Sequence, residues 1–296
     1  MRNGVFLLII FSFLYSSCDT TESEQQTVLK AAQSNEARDT PYQLGKPSQV
    51  WVLPEKLLEV SGAAWVDKDH LLVIEDSHPV LYLLRLDNDI SIEKEISFAP
   101  QEAPKMDFED LAVDGQTAYA LWSDGTLYRI DDWQKTPDVK KWETDLSRKN
   151  DAEGLCIDPV SKNLLVALKN RSGVEDASKA TRAIYVFDRQ KEKLQEKPFL
   201  LIEPSAIEKA TGERLDFYPS AVAVHPLTND VYVLSTKGTK ALAQYSYTGE
   251  LKKVTLLDAS LMPQPEGLCF APDGTMYIST EGKKKQPAKL LRFQMQ

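Results

Sequence analysis

The chain is poor in the residues on which catalysis most often rests. Three histidines and three cysteines stand in 296 residues. There is no Gly-x-Ser-x-Gly elbow, no His-Glu-x-x-His and no phosphate-cradling glycine loop. Nucleophilic catalysis of the Ser-His-Asp kind therefore has no candidate set, and neither does a helix-borne zinc site. Metal-assisted hydrolysis stays open, because it needs only a cation with a free coordination position and a nearby base. Positive charge is also short, with 35 Lys and Arg against 44 Asp and Glu, a net −9. That balance argues against nucleic acid as a partner, since phosphate binding needs a positive surface. A long apolar run is missing too. The most apolar stretch, Val5 to Tyr15, is broken by Ser12 and is too short to span a bilayer as a helix.

That stretch has instead the length of an export-signal core. Arg2 precedes it, and Ser16-Ser17-Cys18 follows it, which is the small-residue and cysteine pattern of a lipoprotein signal. Tyr15 stands where such signals usually carry Leu. Residues 1–18 are thus expected to be a lipoprotein-type signal with Cys18 as the lipid acceptor. An ordinary signal peptide with an incidental cysteine is the alternative. Residues 19–48 are rich in Thr, Ser, Glu, Gln and Ala and read as a flexible tether, with a transient helix at Thr27 to Ala37. The expected location is the cell envelope, at the outer membrane or cell surface, or else periplasmic or secreted if unlipidated. Contact with the membrane would be through the lipid anchor only.

The rest of the chain repeats itself. Five segments align, starting at Glu59, Asp107, Asp151, Tyr218 and Gln264. Each has a small or acidic dipeptide, a short apolar strand, a turn and a second apolar strand. The turns are Pro, Asn, Asp and Gly clusters such as Asp158-Pro159-Val160-Ser161-Lys162-Asn163 and Ala271-Pro272-Asp273-Gly274. The runs between them, such as Val231 to Leu234, are β-branched and aromatic. Third strands follow at Val80 to Leu86, Gly125 to Ile130, Ala183 to Phe187, Leu242 to Tyr247 and Lys289 to Phe293, and fourth strands at Ile92 to Phe98, Val139 to Glu143, Pro198 to Ile202 and Lys252 to Leu257. Insertions at Arg171 to Thr181 and Ala206 to Arg214 stretch the third repeat, and the second of them reads as a short helix ending at Gly212.

Small four-stranded sheets that cannot bury both faces alone stack radially. The expected fold is therefore all-β, a β-propeller of five blades over residues 49–296, or six if the long insert hides a degenerate blade. The last repeat ends after its third strand. Gln49 to Leu53 is the natural fourth strand and would close the ring.

The first strand of each blade lines the channel of a propeller. Here those strands start Ser61-Gly62, Glu109-Asp110, Glu153-Gly154, Ser220-Ala221 and Glu266-Gly267. Glu109, Glu153 and Glu266 thus face one channel mouth, with Asp107 and Asp151 as weaker candidates upstream. Converging carboxylates repel unless protonated or neutralised by a cation, and hard oxygen donors from separate segments suit Ca²⁺. Alternatively the glutamates accept backbone amides of neighbouring blades and lock the ring. Polar loops bring Glu75, Asp76, His78, Lys169, Asn170, Lys237 and Glu281 to the same face, a surface for a small molecule or protein. His225 is expected to cap a turn, His70 lies in the equivalent turn of the first repeat, and His78 reads as a solvated loop residue. Cys156 and Cys269 occupy equivalent places and read as small core residues, a disulfide being the alternative.

The motifs VSGAAWV, FEDLAV, AEGLCID, PSAVAVHP and PEGLCFAPDGTMYISTEG, in that order, resemble the SdiA-regulated (YjiK-like) family over nearly all of residues 50 to 295. The resemblance implies an exported β-propeller, often a lipoprotein, able to hold calcium near its channel through Glu109, Glu153 and Glu266. Asp110 departs from the glycine usual at its place. More distantly the pattern is similar to NHL-repeat propellers and calcium-dependent lactonases and phytase-like esterases, whose Asn-rich channel set is missing here. The expected function is a monomeric, membrane-anchored binding module. The alternative is a metal-dependent hydrolase of lactones or phosphoesters at the same mouth.

Overall fold

The structure is a computed structural model that describes residues 42–100, 106–283 and 285–296. The signal, Cys18, the Thr27–Ala37 helix and most of the tether lie outside the described residues. Among the described residues no helix is long and apolar enough to cross a membrane.

The first strand, β1 (Gln49–Val52), precedes the repeats. Blade 1 follows as β2 (Val60–Asp67), β3 (His70–Glu75), β4 (Val80–Arg85) and β5 (Ser91–Ser97). Blade 2 comprises β6 (Phe108–Asp114), β7 (Thr117–Trp122), β8 (Leu127–Asp131) and β9 (Asp138–Trp142). Blade 3 has β10 (Ala152–Ile157), β11 (Leu164–Leu168), β12 (Arg182–Asp188), β13 (Lys193–Leu194) and β14 (Leu200–Ile202), after which α1 (Pro204–Thr211) intervenes. Blade 4 is β15 (Phe217–Val224), β16 (Val231–Gly238), β17 (Ala241–Tyr245) and β18 (Leu251–Leu256). Blade 5 is β19 (Pro265–Phe270), β20 (Met276–Thr280) and β21 (Lys289–Phe293). Its fourth strand is β1, which pairs antiparallel with β21, Trp51 opposite Leu290. The closing strand expected at Gln49 to Leu53 is therefore present.

The innermost strands touch in cyclic order, β2 to β6, β10, β15, β19 and back to β2. This is a five-bladed β-propeller. Five apolar clusters fill its five inter-blade spaces, for instance Leu72, Leu81, Leu111 and Tyr128 between blades 1 and 2. Each blade buries both faces, which is why β11 reads Leu-Leu-Val-Ala-Leu without alternation, every residue buried. The Arg171–Thr181 insertion forms no strand, and no sixth sheet occurs among the described residues. The fourth strand of blade 3 is split, since β13 and β14 both pair with β12. Helix α1 starts with Pro204 at its first turn and ends at Gly212. That glycine has φ +78° and its N–H bonds the Glu208 carbonyl, a left-handed C-terminal cap.

Residues 42–48, expected within the tether, belong to the propeller. The Tyr42 ring packs on His225, Tyr232 and Phe270, and Leu44 is buried in the cluster between blades 4 and 5. Composition hid this, because two apolar residues in a polar stretch are enough to dock it.

His225 does cap its turn, its Nδ1 accepting the backbone N–H groups of Leu227 (3.2 Å) and Thr228 (3.3 Å). With Nδ1 an acceptor, Nε2 carries the proton and donates to the Tyr42 hydroxyl (2.8 Å), which in turn donates to the Gly274 carbonyl. Asp158, in the equivalent turn of blade 3, accepts from the N–H groups of Val160 and Ser161. Cys156 and Cys269 are free thiols, and burial pushes both up, so neither carries a thiolate's reactivity.

Candidate functional site

The channel mouth is built by a defect repeated in every blade. The pairing of first and second strands slips at Val60/Gly62, Phe108/Asp110, Ala152/Gly154, Pro219/Ala221 and Pro265/Leu268. Those irregularities fall on Ser61, Glu109, Glu153, Ser220 and Glu266. A bulge re-aims the residue that it carries, so one residue per blade leaves the regular alternation at the same height.

Just beyond, the inner strands nearly touch. A Cβ on Gly154 would sit 2.8 Å from the Val222 nitrogen, and one on Gly267 2.8 Å from the Ala63 nitrogen. Glycine is needed there so that neighbouring blades can meet backbone to backbone. Past this constriction the channel wall turns apolar around a cavity of 260 Å³ lined by Trp65, Leu111, Leu155, Cys156, Cys269 and Phe270 among others.

At the same height blade 2 carries Asp110, 1% exposed. Its Oδ1 accepts its neighbour's Leu111 N–H (2.8 Å), and its Oδ2 accepts the Leu155 N–H of blade 3 (2.7 Å). The blade-locking role weighed for the glutamates belongs to this aspartate. Among the described residues none of Glu109, Glu153 and Glu266 accepts a backbone amide.

Among the described residues the three glutamates share one half-buried cation. Lys169, just past β11, donates from Nζ to Glu153 Oε1 at 2.6 Å, with Glu153 only 4% exposed. The lysine sits in the field of all three, and Glu153 and Glu266 hold its ammonium firmly protonated despite burial. Burial pushes Glu109 up to about 10, reinforced by Glu153 and Asp107. Glu266 is raised well above the ordinary carboxylate range by burial, then by Glu153 and Glu281. Burial also raises Asp151, with Lys169 opposing, and pushes Glu281 up to about 7, helped by Asp76 and Glu59. One ammonium does not neutralise this set.

The surrounding residues tie the site down. Asn170 Nδ2 donates to Asp151 Oδ2 at 2.7 Å. The Ser123 hydroxyl donates to Asp107, and the Gln264 amide to Glu281. Glu75 is buried; it accepts the Ser77 N–H and pairs with His78 Nδ1 at 2.6 Å. His78 itself is exposed, as expected of a loop histidine, but it is oriented by a buried carboxylate. Asp76 accepts from the Ser77 hydroxyl, and exposed Lys237 lies 5.4 Å from the centre of the Tyr218 ring. His70 lies on the surface between Asp67 and Glu93. Among the described residues no three His, Cys, Asp or Glu side chains are gathered closely enough to enclose a metal ion by themselves.

Two features escape sequence reading. The Lys169–Glu153 pair needs the register of the β10–β11 hairpin, in which Lys169 N–H bonds the Asp151 carbonyl. The lock at Asp110 is signalled only by a carboxylate standing where the other acidic repeats have glycine.

No family model matches the chain, and no curated protein does. Solved structures match it in fold. A glutaminyl cyclase from Myxococcus xanthus is 14% identical with a TM-score of 0.53, over 84% of this chain and 95% of that one. A nidogen/laminin complex is 16% identical with a TM-score of 0.50, over 75% and 72%. At these identities the likeness is one of fold alone: the chain is similar in architecture to a cyclase and to a nidogen/laminin complex alike.

Proposed function

We propose that the chain is an exported, envelope-anchored binding propeller whose acidic channel mouth takes up a cation in exchange for protons. One observation carries this reading: buried Glu153 and Glu266 and half-buried Glu109, with Asp107, Asp151 and Glu281 around them, outnumber the cations that reach them, Lys169 for the glutamates and Lys169 with Lys237 for Asp151. Calcium suits such hard oxygen donors. Glu109, Glu153 and Glu266 would hold it, with water supplying the remaining oxygens, because the protein donors alone do not close a cage. The ion would supply charge neutralisation and organise the mouth for a ligand on the surrounding loops. Thermal melts in calcium and in chelator test this. A calcium-dependent rise in Tm that is lost in Glu266→Gln supports it, and an unchanged Tm speaks against it.

A metal-dependent hydrolase at the same mouth is the second reading, favoured by the Glu75–His78 pair. A buried carboxylate on Nδ1 leaves Nε2 outward, as a general base requires. Turnover of a lactone or phosphoester panel, lost in His78→Gln, would establish it; no turnover with calcium present would leave the binding module.

A further inference from the structure

On the face that carries the channel mouth, the two insertions of blade 3 meet around a second charged group. Arg182, the first residue of β12, is 6% exposed. Its Nη1 donates to the carbonyls of Lys179 (2.9 Å) and Thr181 (3.2 Å). Its guanidinium lies 4.7 Å from the centre of the Tyr218 ring. The buried Nε–H has no acceptor, and among the described residues no carboxylate stands within ion-pair distance of the group. The Tyr218 hydroxyl is a further side-chain partner of the guanidinium, but buried charges are normally paired and buried donors satisfied, so the unmet Nε–H and the lack of a carboxylate point to a missing partner.

The space for that partner is present. Arg182 lines a cavity of 40 Å³ together with exposed Arg214, Asp216 and Tyr218, over a floor that includes Ile207 and Phe217. That exceeds what one water needs. Arg214 forms no ion pair among the described residues. The planar fork of an arginine matches carboxylate and phosphate oxygens, whereas Asp216, the one acidic side chain on the wall, opposes an anion.

We propose that this cavity binds a compact oxyanion, a carboxylate or phosphate group, held by Arg182 and covered by Arg214. The inference does not depend on the cation reading of the mouth. It is tested by calorimetric titration of the full chain with sodium phosphate and, separately, sodium acetate, against sodium chloride at matched ionic strength. Saturable 1:1 binding of one or both anions is expected, and the stronger of the two identifies the group. Arg214→Gln, an exposed substitution that leaves the fold intact, and Arg182→Lys, which keeps the charge but loses the fork, should each weaken binding by about tenfold. Asp216→Asn should tighten it. Absence of saturable binding beyond chloride, which would leave ordered water as the partner of Nε, overturns the proposal. So does binding that survives both arginine substitutions.

Discussion

Replacing Lys169 by Met removes the half-buried cation paired with Glu153 and keeps most of its apolar stem. Glu153, 5% exposed at its side chain and 2.6 Å from the ammonium, would be left as an uncompensated buried charge among Glu109, Glu266 and Asp151. Breaking a buried pair from one side costs about 3–5 kcal/mol. The cost has to depend on pH, because Glu153 can escape it by taking a proton. At pH 8 the full penalty is expected in urea unfolding. At pH 5 only the lost hydrogen bond and contacts remain, about 1 kcal/mol. Adding Glu153→Gln should recover most of the loss at pH 8, a coupling that a double-mutant cycle reads directly. An equal loss at both pH values, or a loss below about 1 kcal/mol at pH 8, would refute the claim that Lys169 compensates the charge of Glu153.

Other expectations follow from the same contacts. Asp110→Ala orphans the buried Leu155 N–H that ties blade 2 to blade 3 and should cost about 2–4 kcal/mol, seen as a lower urea midpoint; an unchanged midpoint would deny the lock. Glu266 has its folded pKa raised, so its stabilising contribution is complete below its unfolded value near 4.5 and is lost as pH rises above that. Glu266→Gln should therefore gain stability relative to the parent between pH 5 and pH 9, read by melts across that range. His225 has the opposite sign, lowered from 6.5 to about 4 by burial. Its contribution is present above pH 6.5 and is lost as pH falls toward 4, on the order of 3 kcal/mol. Tyr42→Phe removes the acceptor for Nε2, which favours the charged ring, so it should enlarge that acid loss, and an unaltered acid limb would show that this hydrogen bond does not contribute.

Much of the fold was legible because each blade states its own turns. Asp158-Pro159, Ala271-Pro272-Asp273-Gly274 and the short apolar runs between them mark hairpins locally, and the shortfall of one strand at Phe293 against the spare Gln49–Val52 marks the closure. The blade 3 fourth strand was less legible, since its interruption at Leu194 depends on pairing with β12 rather than on any local signal. At the mouth, Glu109, Glu153 and Glu266 were visible because they recur at one place in the repeat. Their bulges were not, because a bulge is a property of the partner strand as well. Arg182 stayed hidden for a related reason: a lone arginine after a polar insertion looks like a solvated loop charge, and only the packing of the other insertion buries it.

The claim that the mouth exchanges protons for a cation is tested most directly by calorimetric titration of calcium into the full chain at pH 7, in two buffers of different ionisation heat. Saturable binding with about two protons released per ion, one each from Glu109 and Glu266, weakened in Glu266→Gln and strengthened in Lys169→Met, is the predicted result. No saturable heat in either buffer, or binding with no proton released and no response to either substitution, would contradict it.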